Sequence, residues 1–275
     1  MALHLTTRTH WTLPIDLSGE LPGLLAPLSP SEVGKRKLLV GREQVDLGEI
    51  FSISGSAGDG VVVWEGDLST AFGIGHLLKE GQVTVRGSVG SYCGSQMKGG
   101  SIVVEGSAGT SVGAAMAGGT IHVLGSCGND VGHDPRRGVG MTGGTIVVDG
   151  SAGTHVGRTI RRGTIAVRGS VGEGAVMDAI AGTVIVMGKS GRNAGSGMRR
   201  GSLFLLDDAP PEILPTFQRG RSLKPLILSL LLPHLASIGF KIDPSFAHRD
   251  MRLYHGDMLS LGLGEIFSVH QGDGE

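Results

Sequence analysis

One stretch of fifteen residues occurs twice with few changes, and it constrains the fold of this 275-residue chain more than any other feature. The copies are GGSIVVEGSAGTSVG from Gly99 and GGTIVVDGSAGTHVG from Gly143. Looser copies lie between and beyond them. Counted from the glycine before each apolar segment, the units start at Gly81, Gly100, Gly119, Gly144, Gly163, Gly182 and Gly201, a spacing of 19 residues with one of 25. A fixed period of this length is typical of a solenoid, in which each unit covers the apolar face of the next.

Each unit carries the pattern of a short β-strand. The second and fourth residues after the starting glycine are β-branched, as in Ile102 and Val104, and residues that alternate in this way lie on one face of a strand. Glycines recur at the sixth and ninth positions, where they predict corners with positive φ or close backbone approach. Three residues before most units stands a methionine, such as Met97 or Met116, which we interpret as core filler that stacks from unit to unit.

These features predict an all-β fold, a right-handed parallel β-helix with 19-residue rungs. A left-handed hexapeptide helix is the alternative, but its coil would be a multiple of six residues, and 19 is not. Three segments are expected: an N-terminal capping arm (1–48), the glycine-repeat domain (49–208), and a C-terminal part (209–275) with a helix and capping strands. The caps would protect the open ends of the stack. DLGEIFSIS from Asp46 and GLGEIFSVH from Gly262 predict two similar closing strands.

Composition limits the partners and the cellular compartment that we expect for this protein. The formal net charge of -1 provides no overall attraction to nucleic acid or to an anionic membrane, so neither is an expected partner. The longest apolar run, PLILSLLLPHL from Pro225, is too short to span a bilayer. The N-terminus lacks the pattern of a secretory signal, and two cysteines, Cys93 and Cys127, exclude a disulfide framework. We therefore expect a cytoplasmic protein.

No pattern for catalysis or for a metal site stands out. GVGMTG from Gly138 matches a dinucleotide-binding pattern but opens no helix, and His133 beside Asp134 lacks further ligands. An enzyme that acts on acidic polysaccharide is a further class, since β-helices host such sites. The third position of the units is too apolar for a catalytic cleft, and it holds Thr84, Val103, His122, Val147, Ala166 and Ile185. This row predicts instead a face that another protein of a complex covers.

Basic residues form the strongest polar signal. The 25-residue unit contains an insertion, VGHDPRRGVGMTG, with Arg136 and Arg137 at its centre. Further cations occupy the last two positions of their units, where stacking would align them along one edge; they are Lys98, Arg161, Arg162, Arg199 and Arg200. Two interpretations remain open: a solvated edge that keeps the protein in solution, or a binding surface for an extended polyanionic ligand or an acidic partner.

The glycine-repeat region, followed by MRLYHGDMLSLGLGEIF from Met251, resembles the C subunit of formylmethanofuran dehydrogenase, including the related component of the bacterial formyltransferase/hydrolase complex. The repeat alone is also similar to the C-terminal domain of the glutamate synthase large subunit. The resemblance implies a right-handed parallel β-helix that acts as a noncatalytic scaffold for the other components. In the bacterial complex these are an amidohydrolase-like protein, the B subunit and a formyltransferase, the D subunit.

The resemblance leaves two complexes open. The bacterial complex transfers a formyl group to a methanofuran analogue and hydrolyses it to formate during formaldehyde oxidation, whereas the methanogen dehydrogenase reduces carbon dioxide with molybdenum or tungsten and iron-sulfur clusters in other subunits. The Arg-rich composition favours the bacterial complex. The resemblance also implies an oligoglutamate tail on the cofactor, a candidate ligand for Arg136, Arg137, Arg161, Arg162, Arg199 and Arg200. Apart from this tail contact, we expect that the chain itself binds no cofactor and no metal, and that the metals of the complex lie in the partner subunits.

Overall fold

The computed structural model describes residues 2–9 and 11–270, and these are mostly β-structure. The strands are β1 (Leu3–Thr7), β2 (Ile15–Asp16), β3 (Lys37–Val40), β4 (Glu43–Asp46), β5 (Phe51–Ser54), β6 (Val61–Glu65), β7 (Ala71–Phe72), β8 (Gln82–Arg86), β9 (Lys98–Val104), β10 (Gly118–Val123), β11 (His133–Asp134), β12 (Val139–Gly140), β13 (Thr142–Val148), β14 (Arg162–Val167), β15 (Thr183–Val186), β16 (Arg200–Leu205), β17 (Gln218–Leu223), β18 (Met251–Gly256) and β19 (Leu263–Ser268). Short helices are α1 (Pro22–Leu25), α2 (Pro30–Gly34), α3 (Leu47–Ile50), α4 (Leu228–Ser237) and a 3-10 turn (Pro244–His248).

A sheet of 13 strands forms the main body, in the order β17-β18-β19-β16-β15-β14-β13-β10-β9-β8-β6-β1-β5. Through the repeat the strands pair in parallel, and equivalent positions of successive units lie opposite each other. Ile102 pairs with Ile121, which pairs with Ile146, and Ile165 pairs with Val184. The insertion in the long unit therefore leaves the strand register unchanged. We call the succession of units from Gly81 to Leu205 the stack.

A second line of contacts runs along the stack opposite the strands. Single parallel bridges join equivalent small residues, for example Ala108 to Cys127 and Cys127 to Ala152. Between the strands and these bridges lies a continuous apolar core, in which Ile102, Met97 and their equivalents are buried. The alternation predicted from sequence therefore positions the β-branched residues inside, as burial of one strand face requires.

Glycine is required at the corners for two different reasons, a positive φ at some positions and close backbone approach at others. Starting glycines such as Gly100 have a positive φ of 76°. The glycine at the end of the strand does not need that conformation, but it lies against the unit below. A Cβ added to Gly106 would lie 2.6 Å from the carbonyl carbon of Gly87. Glycine is required there because the two backbones approach closely.

The ends of the large sheet are built from the terminal segments. β1 pairs in parallel with β6 and antiparallel with β5, while β19 pairs in parallel with β16 and antiparallel with β18. LGEIFS occurs in both segments, yet it differs in conformation. At Leu263–Ser268 it is wholly strand, whereas at Leu47 the first four residues form α3 and the strand begins only at Phe51. Both copies therefore contribute a strand near an end of the sheet, as predicted, but the two are not alike, because the first half of the earlier copy is helical.

The C-terminal segment covers the outer face of the sheet. Helix α4 buries Leu228, Leu232 and Leu235, which share one helical face, and these pack with Val147 and Ile185 in a second apolar core. The prediction of a bare apolar row covered by another protein is wrong for this half of the stack, because the chain supplies its own cover. At the other half the third-position side chains of Thr84 and Val103 remain partly exposed.

Candidate functional site

The insertion forms a compact loop at one corner of the stack; we call residues 132–142 the inserted loop. β11 and β12 pair antiparallel within it, His133 opposite Gly140. The turn between them is held by Asp134, whose carboxylate oxygen Oδ1 accepts a hydrogen bond of 3.1 Å from the amide of Arg136. Its carbonyl oxygen accepts a second, of 2.8 Å, from the amide of Gly138. Asp, Pro and Gly are residues that favour such turns.

His133 fixes the loop to the next unit. Its Nδ1 atom lies 2.9 Å from Oγ1 of Thr159, and only 3% of the residue is exposed. Burial lowers the pKa of His133 below the usual range for histidine, because the charged imidazolium loses its hydration. A neutral ring and a hydroxyl group therefore hold the base of the loop in place.

From this base the loop reaches back towards earlier units and borders a half-open cleft, which we call the arm cavity. The guanidinium carbon of Arg136 lies 4.4 Å from the ring centroid of Tyr92. The cavity has a volume of about 290 Å³. Its walls come from the N-terminal arm, the first units and the inserted loop: Ser18, Phe72, Gly73, His76, Tyr92, Ser95, Gln96, Asp134, Arg136 and Arg137.

The four remaining arginines lie along another edge, which we call the basic edge (Arg161, Arg162, Arg199 and Arg200). The backbone amide of Arg161 donates to the carbonyl of Met141, and that of Arg199 to the carbonyl of Ala179, so both occupy one column of the stack, two units apart. All four are exposed, and within the described chain none forms a salt bridge. None of the four lines the arm cavity. The six predicted arginines therefore form two separate groups.

Known proteins place this geometry in context. No protein-family model matches the chain. Over 95 residues it is 32% identical to the C subunit of the tungsten-containing formylmethanofuran dehydrogenase 2 of Methanothermobacter thermautotrophicus, a match that covers 33% of this chain and 35% of that protein. Over 87 residues it is 36% identical to the C subunit of the formyltransferase/hydrolase complex Fhc of Methylorubrum extorquens, covering 31% and 32%. The sequence matches thus span about a third of these relatives.

The structural comparison extends over nearly the whole chain. A chain in the crystal structure of the formyltransferase/hydrolase complex FhcABCD from Methylorubrum extorquens, in complex with methylofuran, superimposes with a TM-score of 0.86. It is 33% identical, and the match covers 96% of this chain and 98% of that one. The chain belongs to the C-subunit family of formylmethanofuran dehydrogenase. The resemblance seen in the repeat and in the C-terminal segment is confirmed.

The structure of this member of the C-subunit family gives little support to a metal site, an acid/base pair or a nucleophilic cysteine. His133 and Asp134 serve different contacts, since the imidazole faces Thr159 and the carboxylate lines the arm cavity. Within residues 2–9 and 11–270, no three His, Cys, Asp or Glu side chains come together as metal ligands. Burial raises the pKa of the Cys93 thiol to about 12, so it is protonated at neutral pH and is a poor nucleophile. No helix in the described residues is long and apolar enough to cross a membrane.

Two residues of the arm cavity, His76 and Tyr92, were not expected from the sequence of this family member, and Asp134 was considered there only as a partner of His133. Tyr92 could have been found by comparing equivalent positions of the units. The equivalent position of the next unit holds a small residue, Ser111, and both residues adopt a left-handed backbone, with φ of 62° and 59°. This conformation is uncommon for residues other than glycine. An aromatic residue among small and polar equivalents marks the unit as different.

Proposed function

We propose that this chain is the C subunit of a formyltransferase/hydrolase complex and serves it as a noncatalytic scaffold. The observation that carries this proposal is the superposition on a chain of FhcABCD over 96% of the sequence. The parallel register of 19 residues supports the finer architecture that we propose, a right-handed β-helix with capping segments at 1–48 and 209–275 around the repeat at 49–208.

The partners that we propose are the other components of such a complex: an amidohydrolase-like protein, the B subunit and the formyltransferase, its D subunit. Together they would transfer a formyl group to a methanofuran analogue and hydrolyse it to formate in the cytoplasm. Any metals would reside in those partners.

The C subunit of a molybdenum or tungsten formylmethanofuran dehydrogenase is the second candidate, supported by the sequence match to the tungsten-containing enzyme. Purification of the native complex from its source, followed by mass spectrometry and metal analysis, separates the two. Amidohydrolase-like and formyltransferase components without molybdenum, tungsten or iron-sulfur proteins are the expected result. Co-purification of a tungsten or molybdenum protein with iron-sulfur proteins would establish the second candidate, and a chain that purifies alone from its source would contradict both.

We further propose that the six arginines contact the anionic tail of the methanofuran analogue. The absence of salt bridges along the basic edge, within the described chain, leaves its guanidinium groups free to pair with carboxylates. An extended tail could follow this edge, since stacking repeats the cations along one direction. Arg136 and Arg137 would require the tail to reach the arm cavity as well.

The basic edge can be tested without disturbing the core, because all four side chains are exposed. Replacement of all four arginines by Gln should weaken binding of a long-tailed cofactor to the assembled complex by roughly 1 to 3 kcal/mol, less at high salt. Binding of a short-tailed cofactor should change little. The measurement is the affinity for both cofactors at two ionic strengths. Equal losses for both tails, or none, would show that the basic edge is only a solvated surface.

A further inference from the structure

The arm cavity has the size of a small-molecule site and is a half-open cleft, in which Arg136 and Arg137 remain exposed to solvent. Its volume of about 290 Å³ lies near the lower end of the range for ligand pockets, roughly 300–1,000 Å³. It lies between segments that are distant in sequence, with Ser18 of the N-terminal arm on one side and the inserted loop on the other. Clefts of this kind, lined by aromatic side chains and a few polar groups, are typical of ligand sites.

Arg136 provides a cation that is already oriented. Its guanidinium group stacks on Tyr92 at 4.4 Å and, within the described chain, it forms no salt bridge. A stacked guanidinium keeps its edge N–H groups available as a fork that matches a carboxylate. The stacking also restricts the side chain before any ligand arrives, which reduces the entropy lost on binding. Arg137 adds a second cation to the same wall.

Asp134 adds an acceptor next to these cations. The residue is only 6% exposed, and its Oδ1 atom is used by the amide of Arg136. A carboxylate has room for further donors, and among the described residues no salt bridge joins Asp134 to either arginine. The cavity therefore has a cationic and an anionic group side by side, neither of which neutralises the other through a direct ion pair.

We propose that the arm cavity binds a small carboxylate that also carries an N–H donor, with the carboxylate on Arg136 and the N–H group on Asp134. A dianionic phosphate fits less well, because the carboxylate of Asp134 repels its second charge. A carboxylate without a donor leaves a buried acceptor without its partner. This inference does not rest on the proposed function, since it concerns the isolated chain and small molecules only.

Titration calorimetry on the full chain tests the proposal with three probes. N-acetylglycine has a carboxylate and an N–H group, levulinate has the same shape with CH₂ in place of N–H, and inorganic phosphate has no carbon skeleton. We expect saturable 1:1 binding of N-acetylglycine. Levulinate should bind with about tenfold lower affinity, and phosphate should bind more weakly than levulinate. No binding of N-acetylglycine at tens of millimolar, equal binding of levulinate, or tighter binding of phosphate would each overturn the proposal.

Three variants test which residues are responsible for ligand binding and for the preference for N-acetylglycine. Arg136→Gln should lower the affinity for N-acetylglycine and for levulinate about tenfold. Asp134→Asn retains an oxygen for the amide of Arg136 but presents NH₂ to the ligand, so the preference for N-acetylglycine over levulinate should disappear. Arg192→Gln changes an exposed arginine outside the cavity and should change nothing. Circular dichroism checks folding of each variant. A wild-type crystal soaked in N-acetylglycine gives a second readout, in which density elsewhere than beside Arg136 would refute the assignment.

Discussion

The Nε2 atom of His122 lies 3.1 Å from a carboxylate oxygen of Asp149, and the two residues belong to neighbouring units of the stack. The other oxygen of Asp149 accepts a hydrogen bond of 2.6 Å from Arg168 in the unit after that. Arg168 in turn lies over the ring of Phe240 at 5.3 Å. One carboxylate therefore joins three units, and through Arg168 it connects them to the C-terminal segment.

Replacement of Asp149 by Ala should destabilise the protein by about 1 to 3 kcal/mol, because His122 and Arg168 both lose an acceptor in a partly buried setting. The measurement is the free energy of unfolding in urea. Asp208→Ala provides the matched control, since Asp208 is 79% exposed and pairs with Arg249 at the surface. Its loss should be at most about 1 kcal/mol. Equal effects of the two variants would contradict the connecting role of Asp149.

Helix α4 allows a comparison within one element. Leu235→Ala should destabilise the protein by about 2 to 5 kcal/mol, because Leu235 is fully buried in the second core and its truncation leaves a cavity. Leu230→Ala, on the exposed face of the same helix, should change stability by no more than about 0.5 kcal/mol. Thermal and urea unfolding measure both. If Leu235→Ala proves neutral, the helix does not cover the sheet in solution.

The corner glycines predict a steric effect that is independent of φ. Gly106→Ala would place a Cβ 2.6 Å from two backbone atoms of Gly87, and we expect a loss of about 1 to 3 kcal/mol as the units are forced apart. Gly23→Ala is the control, because no atom lies within 4 Å of the added Cβ and its φ is not positive. That variant should be neutral or slightly more stable. Chemical denaturation of both variants decides the matter.

The buried histidine at the base of the inserted loop predicts a pH dependence. Burial lowers the pKa of His133 in the folded state, so the unfolded chain takes up a proton at higher pH than the folded chain. Its contribution to stability is complete above about pH 6.5 and is lost as the pH falls below that value. His133→Asn, which cannot titrate, should flatten the dependence of unfolding free energy on pH between about 7.5 and 5.5. An unchanged slope in His133→Asn would contradict this expectation.

Sequence reasoning succeeded where one local pattern repeats. The alternation of β-branched residues located the strands of the stack, and Ile102 and its equivalents are indeed stacked and buried. It failed where distant contacts decide the conformation. LGEIFS is wholly strand at Leu263 because it pairs with β16, but at Leu47 the amide instead donates to the carbonyl of Arg36 and a helical turn follows. Identical residues cannot signal that difference.

Only part of the candidate site could be predicted from the sequence, because distant contacts complete it. Composition and spacing singled out Arg136 and Arg137, because two arginines in a polar insertion are conspicuous. The residues that complete the cavity, Ser18 and Tyr92, lie far away in sequence and meet the loop only through tertiary structure. The apolar row at Val147 was likewise correctly identified as a covered face, but the chain's own helix provides the cover.

The inserted loop also shows that the length of a unit is independent of its alignment. The hydroxyl oxygen of Ser126 accepts a hydrogen bond from the amide of Ser151 across a unit of 25 residues, as Ser107 does from Ser126 across one of 19. Alignment is fixed by contacts at the strands and corners, such as the hydrogen bond from the amide of Gly132 to the carbonyl of Val112, whereas the amides of Arg137 and Gly138 bond within the inserted loop, to the carbonyl of Asp134. This corner is therefore a natural grafting point, where a foreign peptide can be displayed without moving a strand.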